Sequence, residues 1–490
     1  MAQHWLDLAR YADTDGFEYD AARPQAWRYR DWVVAAFASD MPYDRFVQLQ
    51  NAADQLVPGD ASSLVATGFH RAYPDMVDLN DQGLRRQNAL NDITETTAQV
   101  FLGLTLGCAR CHDHKTDPLP QRDFYRLQAF FTPAQFVNDQ PPLKSEVSDG
   151  SAPAASSVRG LSETTGPPPP TFVLLRGDYG RRGDAVTPGF PSVLAASGSG
   201  PILATADPPH RADLARWLTE PDHPLTARVI VNRQWQQSFG RGIVSTAGDF
   251  GLAGEPPSHP ELLDWLATEL VAQNWSLQAI QRLIVTSAVY RQSSTFRARG
   301  AELDPENTLL WRQNRRRLDG EALRDAILAS SGRLTRAIGG PGVFPELPPE
   351  LAGQVPKNLW PTSPSAADRT RRSLYTFVRR NLRYPLFEAF DRPDTNASCP
   401  TRASSTTAPQ ALSLLNSVLV QESAGALAGT IAALLPADRQ AQVSLCFESI
   451  LARQPDAPEA AACVRFLDAG GDLAALCVAL YNTNPFIYLD

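Results

Sequence analysis

The stretch Cys108-Ala109-Arg110-Cys111-His112 constrains this chain more than any other. Two thiols three positions apart can each add across a haem vinyl group, and a His directly after the second thiol can reach the iron as an axial ligand. The spacing predicts haem c held by Cys108 and Cys111, with His112 on the iron. Two other chemistries use the same residue types. With His114 the four groups make a two-Cys, two-His zinc set, although structural zinc sites usually split their ligand pairs over a longer span. A simple disulfide between Cys108 and Cys111 is the plainer alternative. A sixth iron ligand has candidates by type only: Met76 and His70, in the loop-like stretch 68–81, then Met41, His4 and His114. A five-coordinate iron with an open face is equally compatible, and suits catalysis better than simple electron transfer.

At 490 residues the chain exceeds one ordinary domain, so two or three are expected. Its 43% hydrophobic and 20% charged residues are those of a soluble globular protein with real cores. A net charge of −8 argues against general affinity for nucleic acid. No run of about 18 apolar residues suggests a membrane span. The six Cys make no dense disulfide framework, and Cys446, Cys463 and Cys477 lie in apolar helix-like stretches where buried free thiols are expected. The first residues carry neither a charged leader nor an apolar segment, so no signal peptide is read. Trp5, Leu6, Leu8 and Ala9 already follow a helical pattern, which suggests upstream residues covering the face of Trp5 and Leu8.

The periodicity predicts a mainly α fold with minor β: a multi-helical, two-domain protein. Residues 1–137 form a helical unit carrying CxxCH. Its longest helix runs from Asn88 to Leu106, with Ile93, Thr97, Val100, Phe101 and Leu104 on one face and Gly107 as the stop. Residues 138–206 read as a Pro/Gly/Ser-rich linker with one short strand at 171–177. Residues 207–490 form a C-terminal helical domain. Within it, Gly240 is a helix stop, and Ser258 with Glu261 has the spacing of a capping box.

Two further constellations are weaker. Asp13, Asp15, Glu18 and Asp20 surround Gly16, but the calcium-loop pattern is incomplete and a solvated turn is expected. Asp249, Glu255, His259, Glu261 and Asp264 fall within sixteen positions and could hold a general acid and base, although capping and an exposed helix face account for Glu261 and Asp264. Trp235, Trp265 and Trp275 are expected in the core.

Longer motifs carry a resemblance. WLDLARYADTDGFEYD (5–20), WRYRDW (27–32), MPYDRF (41–46) and GLTLGCARCHDHKTDP (103–118) resemble the planctomycete cytochrome-c-like family, domain of unknown function 1549 (PSCyt2-type). NRQW (232–235), FGRGIV (239–244), GEPPSHPELLDWL (254–266), LIVTSAVYRQS (283–293), FDRPD (390–394) and TTAPQALSLLN (406–416) resemble its usual C-terminal partner, domain of unknown function 1553 (PSD1-type). The resemblance implies c-type haem, a periplasmic or cell-surface location, and an upstream cytochrome module with its own CxxCH. It assigns no catalytic residue outside CxxCH. It also implies electron transfer linked to extracellular or periplasmic polysaccharide processing, with a redox partner protein or the upstream module as partner and a polysaccharide as a further one. Arg85, Arg86, Arg110 and Arg122 are candidates to pair with haem propionates. The alternatives are a carbohydrate-processing enzyme with its cleft around His259 and Arg233, or a scaffold in which CxxCH is only a disulfide.

Overall fold

A computed structural model describes residues 1–140, 158–164, 166–194 and 209–489. Within them the protein is mainly α, with three two-stranded antiparallel sheets.

The helix that leads to CxxCH is Gln82–Thr97. Asp81 caps it, accepting from the Leu84 amide at 2.9 Å, which satisfies one of the free N–H groups of the first turn. Ile93, Thr97, Val100, Phe101 and Leu104 are all buried, as the periodicity predicts. The stop comes four residues earlier than predicted. The last turn, Ala98–Leu102, widens into a π turn and ends at Gly103 in the left-handed region, φ 62°. A Cβ at Gly103 would stand 2.7 Å from the Phe250 ring and 3.1 Å from Val229. A loop and a helix packed from the C-terminal half thus claim that position for glycine, and Gly107 follows in the next short turn.

Gly240 ends Thr226–Phe239 at φ 82°, as read from the sequence. The capping box at Ser258 is not made. His259 stands at the cap of Pro260–Ala272, and the Ser258 hydroxyl donates to the Ile243 carbonyl instead. Pro260 starts that helix, where a missing N–H costs nothing.

The segment read as a linker holds more structure than one strand. Ala134–Gln140 pairs antiparallel with Val158–Glu163, and Thr171–Leu174 with Arg182–Val186. The Val158–Glu163 strand is docked: Leu161 is fully buried, and its amide donates to Thr67 Oγ1 at 2.8 Å. Residues 141–157, 165 and 195–208, which carry about half of the Pro, Gly and Ser of that segment, lie outside the described residues.

Two apolar cores organise the helices. The larger draws on both halves of the chain, from Trp5 through Phe131 and from Leu214 to Ile284. The smaller lies among the helices Gly320–Ser330, Val418–Leu434, Arg439–Leu451 and Leu473–Tyr481. Trp5 sits in the first core, 2% exposed, with its indole N–H donating to Gln50 Oε1 at 2.9 Å and the Phe46 ring 4.8 Å away. The expectation that Trp5 and Leu8 need covering from upstream is therefore corrected. The helices Ala26–Ala38 and Tyr43–Leu56 supply Tyr29, Phe46 and Gln50 to that face, and Leu8 is buried too. Of the three expected core tryptophans, Trp235 and Trp275 are buried and Trp265 is half exposed.

The acidic stretch 13–20 is a solvated turn only at its tip, where Glu18 is exposed. Asp13, Asp15 and Asp20 are buried. Asp13 accepts from Tyr11 Oη and from the Val378 amide; Asp15 pairs with Arg23, and Asp20 with Arg379 at 3.1 Å. Arg380 reaches across to the carbonyls of Arg10, Thr14 and Ala72. Buried charges persist only when paired and hydrogen-bonded; Asp15 finds Arg23 nearby, while Asp13 and Asp20 draw on a segment some 360 positions away.

Candidate functional site

The CxxCH motif lies on the 3₁₀ turn Leu106–Arg110 and the bend after it. Cys108 is exposed, Cys111 half-buried and His112 exposed. The turn is held from several sides. The Cys108 amide bonds the Thr105 carbonyl, and Arg110 Nη1 reaches Glu95 Oε1 at 2.9 Å. The Arg110 carbonyl accepts from both Tyr125 Oη and Gln121 Nε2, each at 2.9 Å. Burial pushes the Tyr125 phenol up to about 12, so at neutral pH it remains a donor. Gly177, from the turn after Thr171–Leu174, packs against the Cys111 sulfur; a Cβ there would come within 2.7 Å.

The two histidines of the motif differ in what they leave free. His112 Nδ1 lies 2.7 Å from the Asp113 carbonyl. A carbonyl only accepts, so Nδ1 carries the proton, and the neutral ring has its lone pair on an exposed Nε2. His114 is engaged at both nitrogens: Nδ1 accepts from the Asp117 amide at 2.9 Å, and Nε2 faces Thr105 Oγ1 at 3.1 Å. Asp117 is buried and takes the Leu252 amide at 2.6 Å. The zinc alternative loses its fourth ligand in this way, and no three His, Cys, Asp or Glu side chains converge to hold a metal among the described residues. All six cysteines are free thiols, so Cys108 and Cys111 are not joined here.

The C-terminal half fixes this segment in place. Arg233 is fully buried and donates to the carbonyls of Val100 and Gln99 in the π turn. Burial lowers its guanidinium to about 10. The Phe250 amide donates to the Gly103 carbonyl at 2.7 Å. Arg233 is thus a clamp on the CxxCH segment and not part of a cleft with His259. His259 Nδ1 pairs with its neighbour Ser258, Asp249 turns onto its own loop through the Gly251 amide, and Asp264 pairs with Arg228 at 2.7 Å. Glu255 and Asp264 border an open depression of about 610 Å³ with Leu252, Pro256 and Pro257. The five candidate acid–base residues do not converge.

A cleft of about 290 Å³ adjoins the motif at Arg110 and Glu95. Met76 lines it, as do Asp75, Arg85, Asn88 and Asp92. His70 does not. It is fully buried beside Phe69 and Phe131, with Nε2 facing Asn51 Oδ1 at 3.2 Å. Burial holds its imidazole well below its usual range, and Arg211 and Arg10 add to that. Of the four arginines read as propionate partners, Arg85 holds both oxygens of Asp75 at 2.8 Å, and Arg86 serves the carbonyls of Thr132 and Ala134. Arg110 holds Glu95, and Arg122 is exposed, 4.0 Å from Asp184.

Sequence reasoning missed most of the residues that hold the motif, namely Glu95, Thr105, Asp117, Gln121 and Tyr125, and assigned Arg233 to a cleft instead. The His114/Asp117 spacing was the one local hint. The others act on backbone carbonyls or pair across folded distance, which leaves no pattern in the chain.

Two helical cores, the larger of which carries a surface turn bearing paired thiols and a free imidazole nitrogen, define the architecture. The chain belongs to the family described as "PSD1: Protein of unknown function (DUF1553)", which it matches over residues 210–467. Residues 1–136 match "PSCyt2: Protein of unknown function (DUF1549)". No curated protein and no solved structure matches the chain.

Proposed function

We propose that this protein carries haem c on the CxxCH turn and works in electron transfer. The observation that carries the reading is the combination of Cys108 and Cys111 accessible on one short turn with His112 presenting an unengaged Nε2. That donor set fits covalent attachment through two thioethers and axial ligation through imidazole. The backbone carbonyl on Nδ1 does what an outer partner does for a ligating His: it fixes the tautomer and the ring. When bound, the haem would supply one-electron chemistry. The chain's own contribution is to hold the turn through Glu95, Tyr125, Gln121 and Arg233, and to keep the thiols accessible for attachment. Met76, on the cleft that adjoins Arg110, is the better placed of the two sixth-ligand candidates, because His70 is committed to Asn51. Export to a periplasmic or cell-surface location, and a role beside polysaccharide processing, belong to the same reading and rest on the family likeness alone. The enzyme alternative has no support from geometry, since His259 and Arg233 lie in unrelated settings.

The test is haem staining of denatured protein from cells that mature and export c-type haem. Wild type and Cys399→Ala are expected to stain, and Cys108→Ala and Cys111→Ala to lose covalent haem. Equal staining of all four, or of none, overturns the proposal.

A further inference from the structure

Cys446 and Cys477 lie on two different helices of the smaller core, Arg439–Leu451 and Leu473–Tyr481. Both are 0% exposed, and their sulfurs are 3.7 Å apart. A single buried thiol calls for no explanation. Two from adjoining helices with their sulfurs in contact are different, because the pair is already selected. A disulfide bond is about 2.05 Å long. The remaining approach is about 1.6 Å, within the reach of rotation about the two Cα–Cβ bonds. Cys463, on the intervening helix Ala457–Asp468, is only half-buried, and burial raises its thiol.

We propose that Cys446 and Cys477 are a cross-link site, oxidised to a cystine that ties these two helices together when the chain folds in an oxidising environment. The chemistry balances with a small-molecule disulfide such as oxidised glutathione as oxidant. One cysteine loses its proton, and its thiolate attacks the oxidant, releasing one reduced thiolate and leaving a mixed disulfide. The second cysteine, deprotonated in turn, attacks the protein sulfur of that mixed disulfide and releases the second reduced thiolate. One S–S bond forms in the protein and one breaks in the oxidant, which takes two electrons. Full burial of both sulfurs means the exchange occurs while the core is still assembling, or during local opening of these helices. The inference stands apart from the haem reading, since it involves neither Cys108 nor Cys111.

The experiment is a peptide map of the full chain. The protein is denatured, refolded with reduced and oxidised glutathione, unfolded again in urea with iodoacetamide, and cut with trypsin. Cleavage after Arg439, Arg453 and Arg465 puts the three cysteines on separate peptides, 440–453, 454–465 and 466–490. The expected result is peptide 440–453 joined to 466–490, with Cys463 alkylated. The link should persist in Cys463→Ser. Reductant should lower the melting temperature of the wild type and leave that of Cys477→Ser unchanged. Where Cys477→Ser fails to fold, the wild-type map decides alone. Finding 440–453 and 466–490 separately alkylated, or either joined to 454–465 instead, overturns the proposal. Loss of haem staining with the link present, or the reverse, separates this inference from the previous one.

Discussion

Arg402 ties the N-terminal helix to the second core, and replacing it with Met tests that link. The Arg402 side chain is 8% exposed and sits between two buried carboxylates, Asp7 and Glu321. It meets Asp7 at 2.8 and 3.2 Å and Glu321 at 2.9 and 3.1 Å, with Asp319 a further 3.4 Å away. Burial by itself would raise the Glu321 carboxyl; Arg402, helped by Arg392, overturns that and holds it at about 2. Against an ordinary value of 4.5, that depression corresponds to roughly 3 kcal/mol. Removing one member of a buried pair costs about 3–5 kcal/mol in general. Arg392 remains 3.5 Å from Glu321 in the variant, which favours the lower figure. Arg402→Met should therefore lose about 3 kcal/mol at pH 7, out of a typical total of about 5–15 kcal/mol. The pH dependence gives the sharper check. In the wild type a depressed carboxyl contributes stability that is complete above 4.5 and lost as pH falls toward 2. Without Arg402, burial raises the same carboxyl, so the variant is penalised most at high pH and the gap narrows on acidification. Urea unfolding at pH 7 and pH 4.5 measures both. A loss under about 1 kcal/mol, the size of an exposed pair, or a loss that does not change with pH, would refute the reasoning.

Gly103→Ala should cost about 1–3 kcal/mol, from the left-handed backbone and the approach of Phe250 together; an unfolding midpoint equal to wild type would contradict it. Arg233→Met should raise hydrogen exchange across 98–111 before it affects the helix Arg439–Leu451, because only the former loses its clamp; unchanged protection of 98–111 would show that the clamp is dispensable. Burial lowers His223 to about 4, while its Nδ1 accepts the Leu225 and Thr226 amides. The unfolded state therefore binds a proton that the folded state refuses between about pH 6.5 and 4. The advantage of wild type over His223→Asn should shrink by about 1.4 kcal/mol per pH unit across that window, and a constant difference in paired urea titrations would contradict it.

The helices were legible because their apolar faces repeat at 3.6 residues, and Gly240 was legible as a stop because nothing else competes for it. Gly103 was passed over for Gly107 because the deciding contact, Phe250, comes from almost 150 residues downstream. Ser258 looked like a cap, yet its hydroxyl found the Ile243 carbonyl first. Asp13 and Asp20 looked solvated because local sequence shows charges without their partners, and the Val378 amide and the Arg379 guanidinium supply those only in the fold. At the site, the spacing of Cys108, Cys111 and His112 was plain. The tautomer of His112 and the engagement of His114 were not, since each depends on a single backbone or hydroxyl contact.

The central claim is that this turn holds haem c. Its most direct measurement is the intact mass of the denatured full chain, made with a haem-maturation system and exported, taken beside its reduced absorbance spectrum. One covalently added haem per chain, with the visible bands of a c-type cytochrome, is the predicted result. A chain of unmodified mass from cells that load a control cytochrome normally would contradict it.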